Sequence, residues 1–573
     1  MQFDIDINNQ TVSAKRGETI KNVLDRIGVN VPTLCYLNGF TPTGGCRMCV
    51  VEVDGVAELV PSCSHPVTEW MKIKTHSPRV LKARKVIVEL LLASHPEDCL
   101  YCGQNGNCGL QGLASEMNVR GRKYHGKQRI VQVDNACQSI IRDPAKCVLC
   151  GRCIRVCDTV IGVSAIEVVG RGSDSRIGTS YNKGLNSQAC VKCGQCIMVC
   201  PTGALTERSN IQSVLDALNN PELFPVIQFS PTVPASIGED FNIKASKDIL
   251  NLLRAALKRM GFRQVYDVSM AADLTIMEEA AEFIDRLSKH ENLPLLTSCC
   301  PSWVKYLGEF KPQLLPCLSS VASPQQMMGR MIKNCFAASA GQKAENVFVV
   351  SVMPCTAKKY EADLDRMKDG ISRNVDAVIT TRELARMIRL LGIDFSSLDP
   401  EQADTRYSMR SSSGNLFGIS GGHLEGLLRT VHQMMTGTEM GTLKINELRG
   451  LKSKKEARIK IGKTIINVAA VSGLANVKSL VDDIEAGRKD FSIIEVMACP
   501  NGCINGGGQK LKPDDKCIKT RMKAIYDVDD EEMIRVAHKN PVIIHLYEQF
   551  LSNPGSARSK DLVHVERATK EVK

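Results

Sequence analysis

Aromatic residues are scarce in this chain: Phe, Tyr and Trp together make up 5% of it, and only two are Trp. No basic helix is interleaved with aromatics, so nucleic-acid binding finds no support. No apolar run approaches the roughly 18 residues that a membrane-spanning helix needs. The N-terminal run Met1 to Ile7 alternates polar and apolar residues, and has neither the basic start nor the cleavage site of a signal peptide. With no twin-arginine or transit sequence either, a cytoplasmic location is expected. No Gly-x-Gly-x-x-Gly stands between a strand and a helix, so the chain carries no dinucleotide fingerprint. Over 573 residues, 43% hydrophobic and 24% charged, several globular domains are expected. The formal net charge of +11 reads as a solvated lysine-rich surface or as a basic docking face for an acidic electron carrier or partner subunit.

Cysteine is what the chain has in quantity: 24 residues. In a long chain without a secretion signal these read as metal ligands or catalytic thiols, not as disulfides. Strand-like runs and a helical run from Thr19 to Ile27 accompany Cys35, Cys46, Cys49 and Cys63. Gly44 and Gly45 precede Cys46, where a loop must fold tightly around a cluster. Soft thiolates suit iron–sulfur centres. The spacing differs from that of plant ferredoxins, and structural zinc is the competing reading. Next come His95, Cys99, Cys102 and Cys108, one imidazole and three thiolates; by spacing alone, zinc competes here too. Then a run of four cysteines occurs twice. Cys147, Cys150, Cys153 and Cys157 are followed by Cys190, Cys193, Cys196 and Cys200-Pro201. In the bacterial two-cluster pattern the fourth cysteine of each run serves the other cluster. Cys147, Cys150, Cys153 and Cys200 should therefore hold one 4Fe-4S centre, and Cys190, Cys193, Cys196 and Cys157 the second. Asp158, not proline, follows Cys157. A string of such centres reads as a wire for electrons.

From about residue 210 cysteines thin out, and apolar strand-length runs (225–229, 346–350, 492–494) alternate with helical stretches (248–260, 381–391). That alternation argues for parallel sheets flanked by helices. Three segments place cysteines at the end of an apolar run: Thr297-Ser298-Cys299-Cys300-Pro301, Met353-Pro354-Cys355 to Glu361, and Glu495 to Gln509 with Cys499 and Cys503.

Together these segments resemble the three signatures of the FeFe (iron-only) hydrogenases, and the resemblance covers essentially the whole chain. The 2Fe-2S and His/Cys segments are also similar to the large iron–sulfur subunit of NADH dehydrogenases. The resemblance implies an α/β multidomain protein. Residues 1–78 would form a β-grasp 2Fe-2S domain, 79–125 a small helical His/Cys-ligated 4Fe-4S domain, and 126–209 an α+β bacterial-ferredoxin domain. Residues 210–573 would form a two-lobed α/β hydrogenase domain ending in a small-subunit-like tail. It also implies a six-iron active-site cluster: a 4Fe-4S cube bridged to a two-iron unit with carbonyl, cyanide and a dithiolate amine. Its ligands would be Cys300, Cys355, Cys499 and Cys503, with Cys503 the bridge. Pro231, Thr232, Gln325, Met353 and Met497 would surround it, and Lys358 would donate to a cyanide ligand. Gly506, Gly507 and Gly508 would allow the backbone to approach the cofactor. Cys299 cannot reach the same iron as Cys300 and would pass a proton to the bridging amine.

A proton needs an onward route. Residues 272–287 read as a helix with an apolar stripe at Ile276, Ala280, Phe283 and Leu287. Glu279, Glu282 and Arg286 fall on its flank at spacings of three and four. On sequence alone this is a surface salt-bridge ladder. The resemblance instead implies the proton order Cys299, Glu279, Ser319, Glu282, Arg286, solvent. Cys137, Cys317, Cys335 and Cys517 are left over and read as buried structural thiols. Two positions depart from the family: Ser230, where alanine is usual, and His423, where a small apolar residue is usual. The expected partners are ferredoxin, flavin- or NAD-binding iron–sulfur subunits of an electron-bifurcating complex, and maturation proteins that insert the two-iron unit.

Overall fold

The computed structural model describes residues 2–126, 132–187, 189–243, 248–369, 372–403, 405–487, 490–511 and 513–566. At the N-terminus, strands Gln2–Ile7 and Gln10–Lys15 form an antiparallel hairpin. Lys72–Lys74 adds parallel to the first strand, and Val50–Val53 and Val60–Pro61 extend the sheet. Helix Ile20–Arg26, capped by the Thr19 side chain, packs Ile20, Val23 and Leu24 onto Ile5, Ile7 and Ile73. Helices Pro78–Ala93 and Gly109–Glu116 flank the His95 to Cys108 segment. Their Val88, Leu110 and Leu113 share a core with Leu34 and Met48 of the first cysteine loop, which fastens the two units together.

The duplicated cysteine runs lie between strands Ile140–Arg142 and Leu205–Glu207, which pair antiparallel. Each run turns at a left-handed glycine, Gly151 (φ 70°) or Gly194 (φ 73°), into a short helix. A side chain is strained in that conformation, so both repeats need glycine there.

The remainder is built on two sheets. One is parallel, in the order Gln264–Asp267, Phe224–Phe229, Val347–Met353, Ala377–Thr380. The other runs Leu295–Leu296, Ile493–Met497, Thr464–Ser472, Lys454–Ile461, with only the last pair antiparallel. Alternate residues face different cores, as strand geometry requires. Ile227, Val350 and Val352 point one way, Val226 and Val349 the other. Because both faces are covered, these strands read as unbroken apolar runs. Helix Ser269–Lys289 joins the two lobes: Leu274 and Ile276 enter one core, Ala280 and Phe283 the other. The expected one-sided stripe is therefore only part of the helix, since every residue from Ser269 to Ala280 is buried. The tail packs Ile543, Leu546 and Val563 into the same core. Of the leftover thiols Cys137 and Cys335 are buried, but Cys317 and Cys517 are only half-buried, against expectation. Among the described residues no helix is long and apolar enough to cross a membrane.

Candidate active-site cavity and cluster sites

Four parallel strands from the two sheets, Phe224–Phe229, Val347–Met353, Leu295–Leu296 and Ile493–Met497, run out at one cavity. In open α/β sheets ligands bind outside the carboxyl ends of the strands. The cavity holds about 790 Å³ of atom-free space, and Cys299, Cys300, Cys355, Cys499 and Cys503 all line it. Pro231, Gln325, Met353, Met497 and Lys358 line it too. Thr232 lies behind the lining, its hydroxyl 3.1 Å from that of Ser230. Ser230 does reach the cavity, whereas His423 stands one layer back, stacked on the lining residue Phe417.

Burial pushes Cys300 up, takes Cys355 to about 12, and lifts Cys299, Cys499 and Cys503 far above the ordinary thiol range. Thiols so placed stay protonated unless a cation joins them. The donor set thus suits a cationic cluster. Each thiolate of a four-iron cube binds a different iron, so the sulfurs stand wider apart than around one ion. Among the described residues no group of three or more His, Cys, Asp or Glu side chains is arranged for a single ion. Lys358 donates to the Cys299 carbonyl at 3.1 Å and pairs with Glu361 at 2.8 Å. Burial opposes its charge, but Glu361 together with the charges of Cys355 and Cys299 keeps its pKa above the ordinary lysine value.

The glycine run also makes close backbone contacts of its own. Gly506 borders the cavity, but a Cβ there would strike the Pro354 carbonyl. At Gly507 it would strike the Cys193 carbonyl, and at Gly508 it would lie 2.9 Å from the Cys355 nitrogen. The close approach is therefore between the backbones of cluster loops. Gln195 Nε2 donates to the Asn505 carbonyl at 2.8 Å and Thr356 Oγ1 to that of Lys192 at 2.8 Å, so the second cysteine run rests directly against the cavity wall.

Cys147, Cys150, Cys153 and Cys200 line a second cavity, the crossed set read from the duplicated runs. Burial raises Cys190, Cys193 and Cys196, and the nearby charge of Cys157 adds to each. Sulfur contacts among Cys35, Cys46, Cys49 and Cys63 lower Cys49 to about 6 and Cys35 further, and push Cys46 and Cys63 up. His95 Nδ1 lies 3.0 Å from the Pro96 carbonyl, which can only accept, so Nδ1 carries the proton. Among the described residues its buried Nε2 has no hydrogen-bond partner, as a metal ligand's free lone pair would have none. Beside it, Cys99 is raised by burial and by the charges of Cys108 and Cys102.

Ser319 Oγ donates to Glu282 Oε2 at 2.7 Å, and Arg286 Nη2 to Oε1 at 2.7 Å. The Arg286 and Glu282 side chains are 12% and 13% exposed and Glu279 is fully buried, so this is no surface ladder. Cys299 lies close enough for the charge of Glu279 to raise it. Among the described residues, however, neither Glu279 oxygen has an aligned hydrogen-bond partner. A branch that sequence reasoning missed leaves Glu282. Ser320 Oγ donates to Glu282 Oε1 at 3.1 Å and meets His564 Nδ1 at 2.8 Å, while His564 Nε2 lies 3.0 Å from Glu278. Glu361 and the Glu279–His423 contact were missed as well. Glu361 stands three residues after Lys358, a helical spacing that could have signalled their pair, whereas His423 reaches Glu279 from a distant segment.

Residues 224–507 match the iron only hydrogenase large subunit, C-terminal domain, and 515–566 the iron hydrogenase small subunit. Residues 1–78 match a 2Fe-2S iron-sulfur cluster binding domain. Residues 84–123 match the NADH-ubiquinone oxidoreductase-G iron-sulfur binding region, and 138–206 the ferredoxin-like domain of NADH-quinone oxidoreductase subunit 3. The NADP-reducing hydrogenase subunit HndD of Solidesulfovibrio fructosivorans is 41% identical, the alignment covering 98% of each chain. Iron hydrogenase 1 of Clostridium pasteurianum is 36% identical over 97% of this chain and 98% of its own. The cytosolic Fe-S cluster assembly factor narfl of Xenopus tropicalis is 31% identical over 60% of this chain and 73% of its own. A solved structure of apo [FeFe]-hydrogenase HydA1 from Chlamydomonas reinhardtii superposes with a TM-score of 0.57 at 32% identity, over 63% of this chain and all of that one. The gathered thiols, the two-sheet scaffold around them and the full-length relatives agree: this chain belongs to the iron-only (FeFe) hydrogenase family.

Proposed function

We propose that this chain is the catalytic subunit of an NAD(P)- or ferredoxin-linked hydrogenase complex that interconverts dihydrogen with protons and electrons. The observation that carries the reading is the convergence of Cys300, Cys355, Cys499 and Cys503, from three remote loops, on one cavity with a fifth thiol, Cys299, at its wall. Those four would hold the six-iron cluster, with Cys503 as the bridge. When bound, that cluster supplies the metal centre at which dihydrogen is split or formed. Lys358 would donate to a cyanide ligand, and Pro231, Gln325, Met353 and Met497 would keep the site dry. Thr232 would act from behind through Ser230. Cys299 and Glu279 would move the proton inward and outward, and Ser319, Glu282 and Arg286 would carry it to solvent.

The chain divides on this reading at 1–78, 79–125, 126–209 and 210–573, with one 2Fe-2S and three further 4Fe-4S clusters before the active site. Two sets of contacts support an order for this wire. Arg155 binds the Cys35 and Thr41 carbonyls, and Gly109 N donates to the Pro201 carbonyl at 2.7 Å. The 2Fe-2S and His/Cys loops thus both dock beside the Cys147 cluster, two entry arms feeding one line that ends at Cys193. Full-length similarity to HndD, named as a subunit of an NADP-reducing hydrogenase, favours a multisubunit complex over a hydrogenase working alone with ferredoxin; its partners would be flavin- or NAD-binding subunits and its location the cytoplasm. Purification with or without partner chains separates the two, as does assaying NAD(P)H with and without ferredoxin. A non-catalytic sensor or assembly role is disfavoured by the presence of Cys299, Glu279 and Glu282. In the matured protein, infrared bands of carbonyl and cyanide should appear. Cys299→Ser should keep those bands and lose hydrogen evolution from reduced viologen; full activity in that variant would remove Cys299 from the path.

A further inference from the structure

We propose that His423 is a positioning residue for proton transfer, holding a proton against Glu279 and keeping that buried carboxylate ionised. This rests on the reading of Glu279 as part of the proton path. The two side chains come from different helices, Gly422–Thr436 and Ser269–Lys289, and neither has any exposure. His423 Nε2 lies 2.7 Å from Glu279 Oε2. Two bare lone pairs would repel at that separation, so one of the two groups carries a proton. The contact is out of line for a directional hydrogen bond, and among the described residues these four polar atoms have no other partner. It is a charge contact held in place by packing. The imidazole is stacked on Phe417, with ring centroids 4.0 Å apart, and Phe417 lines the active-site cavity.

The surrounding groups favour an imidazolium. Glu495, on strand Ile493–Met497, accepts from Gly421 N at 2.7 Å and Leu424 N at 2.8 Å, at the start of the helix that carries His423. Lys455, on strand Lys454–Ile461, binds the Ser420 carbonyl and partly offsets Glu495. Cys299 faces Glu279 from the cavity side. Helix Ser412–Leu416 contributes no charged side chain, and Glu425 on the His423 helix is taken up by Arg429 and Arg449. Burial by itself would lower the pKa of His423, but Glu279 and then Glu495 more than reverse that. Glu279 has the converse need. A buried carboxylate without a partner takes up a proton and can no longer accept one from a thiol. A small apolar residue at 423 would offer no such partner. Here the central carboxylate is held ready by a histidine.

The test is pH-difference infrared spectroscopy of the matured holoenzyme, read in the carbonyl region of protonated carboxylic acids. Glu279→Gln identifies the Glu279 band by removing it. Expected is no Glu279 acid band in the wild type at pH 7, and a clear one in His423→Val. The pH profile of hydrogen oxidation should move by a unit or more in that variant, and His423→Gln should behave like His423→Val because it lacks the charge. Equal Glu279 protonation in wild type and His423→Val would overturn the proposal. Should the variants fail to mature, ring-labelled histidine in the wild type decides: an imidazolium at pH 7 that vanishes in Glu279→Gln supports the pair, and a neutral His423 refutes it. Unimpaired turnover in Glu279→Gln would sink the proton path itself, a result distinguishable from the infrared outcome.

Discussion

Arg382 fastens the ferredoxin-like region to the active-site loop. Its guanidinium donates to Glu207 Oε2 at 2.9 Å and Oε1 at 3.4 Å, at the end of strand Leu205–Glu207. It also donates to the Gly507 carbonyl at 2.9 Å and to that of Gln509. The two side chains are 6% and 10% exposed, so solvent screens the pair little. Burial alone would raise Glu207, but Arg382 outweighs it and holds the carboxyl at about 2 instead of 4.5. A depressed carboxylate contributes stability that is complete above the unfolded value and is lost as pH falls through the folded one. That shift corresponds to ~3 kcal/mol, lost as the pH drops from about 4.5 toward 2. Glu207→Gln should remove a similar amount at pH 7, leaving a buried guanidinium short of its counter-charge. Local opening of this contact should then be about 100-fold more frequent. Amide hydrogen exchange over residues 193–199, 205–207 and 506–509 should accelerate to match. Electron-linked turnover should fall, while exchange between dihydrogen and heavy water, which draws no net electrons, persists. Unchanged amide exchange in Glu207→Gln would refute the reasoning.

Two further outcomes follow from single positions. Gly507→Ala puts a methyl group onto the Cys193 carbonyl, where neither side is a flexible side chain. It should cost about 1–3 kcal/mol and slow electron delivery from ferredoxin while the carbonyl and cyanide bands remain; unimpaired ferredoxin-linked turnover would contradict the close docking. His95→Ala removes the unpaired buried Nε2, so one 4Fe-4S signal should be lost or altered in paramagnetic resonance with the active-site infrared bands intact. A full set of unchanged signals would show that His95 is not a ligand.

The duplicated cysteine runs could be read from spacing because three ligands of each set lie on one local turn, and the crossed fourth follows from the repeat. Cys147, Cys150, Cys153 and Cys200 all line one cavity. The alternation of apolar runs with helical stretches likewise matched the two-sheet core, since burial on both faces leaves a continuous apolar strand. Helix Ser269–Lys289 was only half legible: its first three turns are enclosed on every side, so no polar face marks them.

The sequence by itself determined the kinds of centre this protein can hold and the order of its domains, because thiolate number and spacing are local properties of the chain. Only the tertiary structure decided which charges meet. Glu207 reaches Arg382 across 175 residues and His564 reaches Glu278 across 286, and His423 closes on Glu279 from a separate helix. Such pairs form where folding removes both partners from water, and no pattern along the chain records which buried groups will then stand face to face.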